Sequence, residues 1–273
     1  MYQTGLIKQK QIGFVNADGT NAIVLEVGEY LRKPVWSSEG NLIYGMAEGL
    51  LPNYRDGSPA YWYQNRGLKK CRVWDLFWSV EGSGNQANPM DVLIYDYKKI
   101  LLANLENCME IKVLVDYMER SELGVLGAAY LWDEEILLYG LEENKSLGKR
   151  NYRVIKIDLK TNQAVDLANG INPSWSPDGA QVAYLQGDGI YIINADGTQA
   201  RRLVRHTFVD LSLRWFGVLS PLPRWSPDGK WLVYHRCEKD SCMINDNTIY
   251  KVDVLTGTEV KIIDGGAFPD WRR

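Results

Sequence analysis

Few side chains in this sequence have the type and spacing for acid–base, metal or nucleophilic chemistry. Histidine occurs twice, at His206 and His235. A metal centre or lyase site built on several imidazoles needs more than that. His206 lies in Arg205-His206-Thr207-Phe208 and His235 ends an apolar run, so both read as packed or surface residues. Two Ser/Asp pairs, Ser176 with Asp178 and Ser226 with Asp228, invite a nucleophile reading. Each sits in Trp-Ser-Pro-Asp-Gly, however, and recurs because the turn recurs. A serine hydrolase needs its nucleophile on a strained elbow, commonly GxSxG, and that motif is absent. Gly82-Ser83-Gly84-Asn85-Gln86-Ala87 loosely fits a dinucleotide loop, but Asn88-Pro89 follows it instead of a helix. Asp18 and Asp196 fall in Asn-Ala-Asp-Gly segments without calcium-loop spacing and read as turn caps. No catalytic residue, metal or cofactor is therefore expected. Asn144-Lys145-Ser146 is a lone glycosylation sequon.

The four cysteines, Cys71, Cys108, Cys237 and Cys242, do not match zinc spacing. Cys237 and Cys242 bracket the polar run Glu238-Lys239-Asp240-Ser241 and read as a hairpin staple, which implies an oxidising compartment. Two free thiols are the alternative. A bridge between Cys71 and Cys108 would join consecutive repeats.

The elements that hold these residues are repeats. Residues 173–179 read PSWSPDG and 223–229 read PRWSPDG, identical at six of seven positions. Residues 190–203 (IYIINADGTQARRL) and 12–25 (IGFVNADGTNAIVL) share eight of fourteen. Looser copies stand at 34–40, 156–162, 251–257 and 268–271. Trp36, Trp78, Trp132, Trp175, Trp225 and Trp271 mark the copies at spacings of 42, 54, 43, 50 and 46. Trp36, Trp175, Trp225 and Trp271 are expected to pack between neighbouring units. In Ser-Pro-Asp-Gly, Pro presets φ, Asp bonds its own backbone and Gly supplies φ > 0; Gly179 and Gly229 fill that last role. Gly19 and Gly197 do the same in the Asn-Ala-Asp-Gly hairpins.

Each unit predicts four short antiparallel strands, a to d, over about 40–45 residues, the pattern of a propeller blade. The predicted fold is all-β: one six-bladed propeller spanning 1–273, with blades at about 28–71, 72–120, 121–168, 169–210, 211–264, and 265–273 plus 1–27. The chain ends on a first strand and begins on second to fourth strands, so one blade built from both termini closes the ring. Residues 116–127 are the one stretch read as helical.

These residues carry a family resemblance. WSPDG, an apolar strand and then NADG resembles the WD40-like (PD40) repeat of TolB-type propellers. The resemblance implies a six-bladed propeller. It implies function less sharply, because such repeats serve exported protein-binding modules, accessory propellers of peptidases and sugar-processing proteins. It also favours a periplasmic or extracellular location, although Met1–Lys10 lacks the apolar core of a signal peptide; a cytoplasmic location is the alternative.

Composition fits this reading. The chain has 273 residues, 45% hydrophobic and 24% charged, enough apolar surface for a large core. A net charge of −3 gives no basis for nucleic-acid binding. No apolar run is long enough to span a membrane. Ten Trp and sixteen Tyr against five Phe favour half-buried strands and binding faces.

Loop length places the binding face. The a–b and c–d turns are tight, apart from an insertion at 81–90. The long segments are expected in the b–c loops at 49–59, 142–151 and 236–247 and the d–a loop at 205–222, all on one face. That face would carry Tyr54, Arg55, Arg205, His206, Phe208, Arg214, Trp215, Phe216 and Arg236, rich in the residue types that anchor protein interfaces. Trp215 and Phe216 alternatively plug the channel mouth. The expected function is a monomeric, non-enzymatic scaffold for a protein or peptide. The alternatives are carbohydrate binding on aromatic platforms, a propeller lyase or hydrolase, or a peptidase accessory domain.

Overall fold

The computed structural model describes residues 2–4, 11–26, 31–36, 43–47, 60–64, 67–71, 79–82, 91–95, 99–104, 109–116, 123–131, 136–145, 149–187, 189–205, 223–237 and 246–272. Among them there are strands and turns and no α-helix.

Among the described residues, six four-stranded sheets account for every strand. In chain order they are β4 (Leu31–Trp36), β5 (Ile43–Ala47), β6 (Ala60–Gln64) and β7 (Gly67–Cys71); then β8 (Ser79–Gly82), β9 (Asp91–Tyr95), β10 (Lys99–Asn104) and β11 (Met109–Asp116). The third holds β12 (Leu123–Leu131), β13 (Ile136–Lys145), β14 (Lys149–Asp158) and β15 (Gln163–Asn169). The fourth holds β16 (Ile171–Trp175), β17 (Gln181–Gln186), β18 (Gly189–Asn194) and β19 (Arg201–Arg205). The fifth holds β20 (Arg224–Trp225), β21 (Trp231–Cys237), β22 (Asn247–Asp253) and β23 (Glu259–Asp264). The last joins the two chain ends: β24 (Gly266–Ala267) pairs with β1 (Tyr2–Thr4) through Gln3↔Ala267 and Thr4↔Gly266, followed by β2 (Gln11–Phe14) and β3 (Ile23–Glu26). Consecutive strands are sheet neighbours, so each sheet is a meander with its a–b and c–d turns at one end and its b–c connection at the other.

The chain divides into two compact units, Met1–Pro34 with Ser174–Arg272, and Val35–Pro173. In the second unit, Leu93, Ile100 and Leu102 of one sheet pack with Ala128, Ile155 and Ile157 of the next. In the first, Val233 and Ile249 pack with Val15, Ile262, Ile263 and Trp271. In the fourth and fifth sheets burial falls from the second and third strands to the fourth. Residues 182–185 of β17 are all buried, whereas β23 has no buried residue. This is why the b strands read as unbroken apolar runs and the d strands as mixed ones.

Two sequence expectations fail here. The stretch 116–127 holds no helix among its described residues, because Leu123–Leu131 pairs with β13 from Leu123↔Glu143 to Leu131↔Ile136. Its Met, Glu and Leu content favours a helix, but Gly124 and Gly127 oppose one, and the sheet ladder prevails. The region 142–151 is not an open loop either. β13 and β14 continue as a ladder to Lys145↔Lys149, so this charged segment is a long hairpin. Its polarity suits a strand pair as well as a loop, because the ladder satisfies the backbone whatever the side chains are.

Candidate functional site

The Ser-Pro-Asp-Gly segments form closed hydrogen-bonded units. Ser176 Oγ donates to Asp178 Oδ1 at 2.5 Å and accepts from the Gln181 amide at 2.9 Å. Asp178 Oδ1 also accepts from the Ala180 amide at 3.0 Å, and the Gly179 amide closes the turn onto the Ser176 carbonyl. The second copy repeats each bond: Ser226 Oγ to Asp228 at 2.5 Å, the Trp231 amide to Ser226 Oγ at 2.9 Å, and the Lys230 amide to Asp228 at 3.1 Å. Both serines are buried. The serine hydroxyl, then the backbone amide, hold Asp178 and Asp228 below the ordinary carboxylate range. A hydroxyl that donates to a carboxylate and accepts a main-chain amide is fully employed by the turn, and its aspartate, held below the ordinary carboxylate range, is a weak base.

The c–d turns are built in the same spirit. Thr20 bonds Asp18 through its amide (2.9 Å) and hydroxyl (2.7 Å), and Asn16 Nδ2 reaches Thr20 Oγ1 at 2.9 Å. Asp196, Thr198 and Asn194 repeat this at 2.9, 2.6 and 3.0 Å. The looser copies use Asp158 and Asp253, which cap the amides of Lys160 with Thr161 and of Leu255 with Thr256. Gly19 has φ +84°, and a Cβ there would lie 2.7 Å from the Ile262 carbonyl oxygen on β23. The turn of one sheet thus seats directly on its neighbour's outer strand.

Tryptophan joins the a strands. Trp225 Nε1 donates to the Ser174 carbonyl at 3.2 Å, and Trp271 Nε1 donates to the Arg224 carbonyl at 3.0 Å. Trp175 is half-buried, and its buried indole N–H has no hydrogen-bond acceptor among the described residues.

Across the middle strands of the fifth sheet lies a denser polar cluster. Tyr234 and Tyr250 face each other with ring centroids 6.0 Å apart. Arg236 lies 3.9 Å over the Tyr250 ring and 2.7 Å from Glu259 Oε1, which also accepts the Tyr234 hydroxyl. Burial, then the bond to Glu259, push the Tyr234 phenol far above its ordinary range. The fourth sheet repeats the ring pair as Tyr184 and Tyr191, 5.7 Å apart. His235 is fully buried and accepts the Phe268 amide at Nδ1, 3.1 Å away. Cys237, the last residue of β21, is disulfide-bonded.

Of the residues expected on the binding face, Arg205 is exposed at the end of β19, and Arg236 is held by Glu259 and Tyr250. Tyr54, Arg55, His206, Phe208, Arg214, Trp215 and Phe216 lie outside the described residues, as does Cys242. Sequence reasoning missed Glu259, Tyr250 and Phe268. One signal was available: Tyr184 and Tyr234 stand at the same offset from their Trp-Ser-Pro-Asp-Gly motifs. Among the described residues no three metal-ligating side chains converge, and no helix is long and apolar enough to cross a membrane.

No family model and no curated protein matches the sequence. Solved structures do match. A putative TolB from Agrobacterium tumefaciens aligns at TM-score 0.72 and 16% identity, over 97% of this chain and 94% of that one. TolB from Acinetobacter baumannii aligns at 0.71 and 12%, over 99% of this chain but 65% of that one, so this chain spans about two thirds of its length. A nidogen/laminin complex aligns at 0.64 and 12%, over 97% and 92%, and an oligogalacturonate lyase in complex with manganese at 0.57 and 15%, over 96% and 74%. The fold is a TolB-like, all-antiparallel β-propeller.

Proposed function

We propose that this propeller is a non-enzymatic scaffold that takes a protein or peptide partner at the sheet ends bearing the b–c and d–a connections. One observation carries the reading: among the described residues, the opposite ends are consumed by their own turns. There Ser176, Ser226, Asp18, Asp178, Asp196 and Asp228 are all bonded within tight turns. The segments 48–59, 206–222 and 238–246 join strands at the other end and hold Tyr54, Arg55, His206, Phe208, Arg214, Trp215 and Phe216, with Arg205 and Arg236 at their bases. Aromatic and Arg side chains are the commonest anchors of protein interfaces. A neighbouring fold found in a complex of two proteins supports the same use.

The disulfide at Cys237, for which Cys242 is the partner expected from sequence, and the TolB-like fold favour a periplasmic or extracellular location. The test is partner capture by the immobilised full chain from an extract of its source cells. The triple variant Tyr54→Ala, Arg214→Ala, Trp215→Ala should lose a partner that the Asp18→Asn variant retains, the two compared at equal folded fraction. Equal capture by both overturns the face assignment. Carbohydrate binding is the second reading, favoured by the likeness to a lyase named for an oligosaccharide substrate. Silence across a broad glycan array removes it.

A further inference from the structure

The joint between the chain ends is short. β24 contributes two residues, and its pairing with β1 is limited to Gln3↔Ala267 and Thr4↔Gly266. The segment that follows is fastened by side chains. Trp271 bonds the Arg224 carbonyl, and the Phe268 amide bonds Nδ1 of His235. Phe268 is buried, packs edge-on against the imidazole with centroids 4.8 Å apart, and has φ +52°. Asn172 occupies the equivalent place before Pro173 with φ +51°. Asparagine tolerates that left-handed conformation, whereas an aromatic residue needs external restraint. The bond to His235 supplies it.

That bond requires an unprotonated Nδ1, because a protonated imidazole carries donors on both nitrogens and would set N–H against N–H. We infer that His235 is a proton-operated latch on the joint between the chain ends: neutral, it holds Phe268 and seats β24 on β1; protonated, it lets both go. The charged and titratable groups on the elements around it are Tyr234 and Arg236 on its own strand, Arg224 of β20, Tyr250, Lys251 and Asp253 of β22, and Asp264 and Asp270 flanking β24. Arg236 is engaged by Glu259, and Asp264 by Thr248 and Lys261.

A free imidazole titrates near ~6.5, so protonating the open form at pH 5.5 raises its population roughly tenfold over pH 7.5. The test is amide hydrogen exchange of the full chain, corrected for the intrinsic pH dependence. Residues 266–271 and 2–4 should exchange roughly tenfold faster at pH 5.5 than at 7.5, while β17 and β18 stay unchanged. His235→Asn, whose Oδ1 can take the place of Nδ1 without titrating, should remain closed and flat across that range. Exchange independent of pH, or pH dependence that survives in His235→Asn, overturns the latch. Imidazole 15N shifts of the native chain, assigned with His206→Gln, give a second readout. A charged His235 with the Phe268 amide still protected overturns it as well.

Discussion

The indole N–H of Trp225 rests 3.2 Å from the main-chain oxygen of Ser174, on the neighbouring sheet. Trp271 stands in the same relation to Arg224 one repeat later, at 3.0 Å. The motif tryptophan is therefore both a packing body and a tether between first strands. Trp225→Phe keeps the apolar body and deletes the donor, and should cost about 1 kcal/mol in urea unfolding. Trp225→Ala also opens a cavity and should cost roughly 3–5 kcal/mol. Equal losses in the two variants would mean that the tether contributes nothing.

The buried hydroxyls of Ser176 and Ser226 each orient an aspartate and receive the amide that opens the b strand. Ser226→Ala leaves the Trp231 amide without this acceptor and should cost about 1–3 kcal/mol. Partner capture should be unaffected once the folded fraction is equalised. A loss of capture at full folding would show that the turn end of the sheets takes part in binding.

These turns were also what the sequence displayed most clearly. Asp, Gly and Ser act within a few residues of one another there, so local chemistry alone specifies the shape. The Trp-Ser-Pro-Asp-Gly copies thereby revealed the strand meander and the use of both termini in one sheet. Regions where pairing overrides local preference were opaque. The stretch 116–127 reads as helix, yet its described residues from Leu123 onward lie in a ladder, and the region 142–151 reads as loop, yet its described residues pair. The cluster of Arg236, Tyr250 and Glu259 was hidden for a related reason, since its members come from three strands and meet through register alone.

Acid should unfold the protein through its turns. Asp18, Asp178 and Asp228 are held below the ordinary carboxylate range by side-chain hydroxyls and backbone amides, Asp158 and Asp253 chiefly by backbone amides, and Asp264 by Lys261 and Thr248. A carboxylate with a depressed folded-state value stabilises the fold above its unfolded value, about 3.9, and loses that contribution as pH falls through the folded value. Melting temperature should therefore be insensitive to these groups above pH 5 and fall steeply below pH 4. Asp228→Asn should flatten part of that fall. An unchanged acid slope in Asp228→Asn would remove this turn from the account.

Glycine substitutions should rank by the space each turn leaves. Gly229 has φ +70°, and a Cβ added there would have its nearest neighbour, an atom of Pro177, 3.8 Å away, so Gly229→Ala faces backbone strain of about 1–2 kcal/mol and little else. Gly19→Ala faces similar strain at φ +84°, plus an approach of 2.7 Å to the Ile262 carbonyl oxygen, main chain that can yield only if β23 moves. At Gly189 the backbone φ is unexceptional, but a Cβ would collide with the Val204 carbonyl oxygen inside the β18–β19 ladder. The expected order of destabilisation is Gly189→Ala, then Gly19→Ala, then Gly229→Ala, read from urea midpoints. Asn162 supplies the control. It takes φ +56° at the place where the sister turn has Gly257 at +73°, so Gly257→Asn should cost less than Gly229→Ala. If Gly257→Asn proves as damaging as Gly19→Ala, crowding by the neighbouring strand is not what separates these turns.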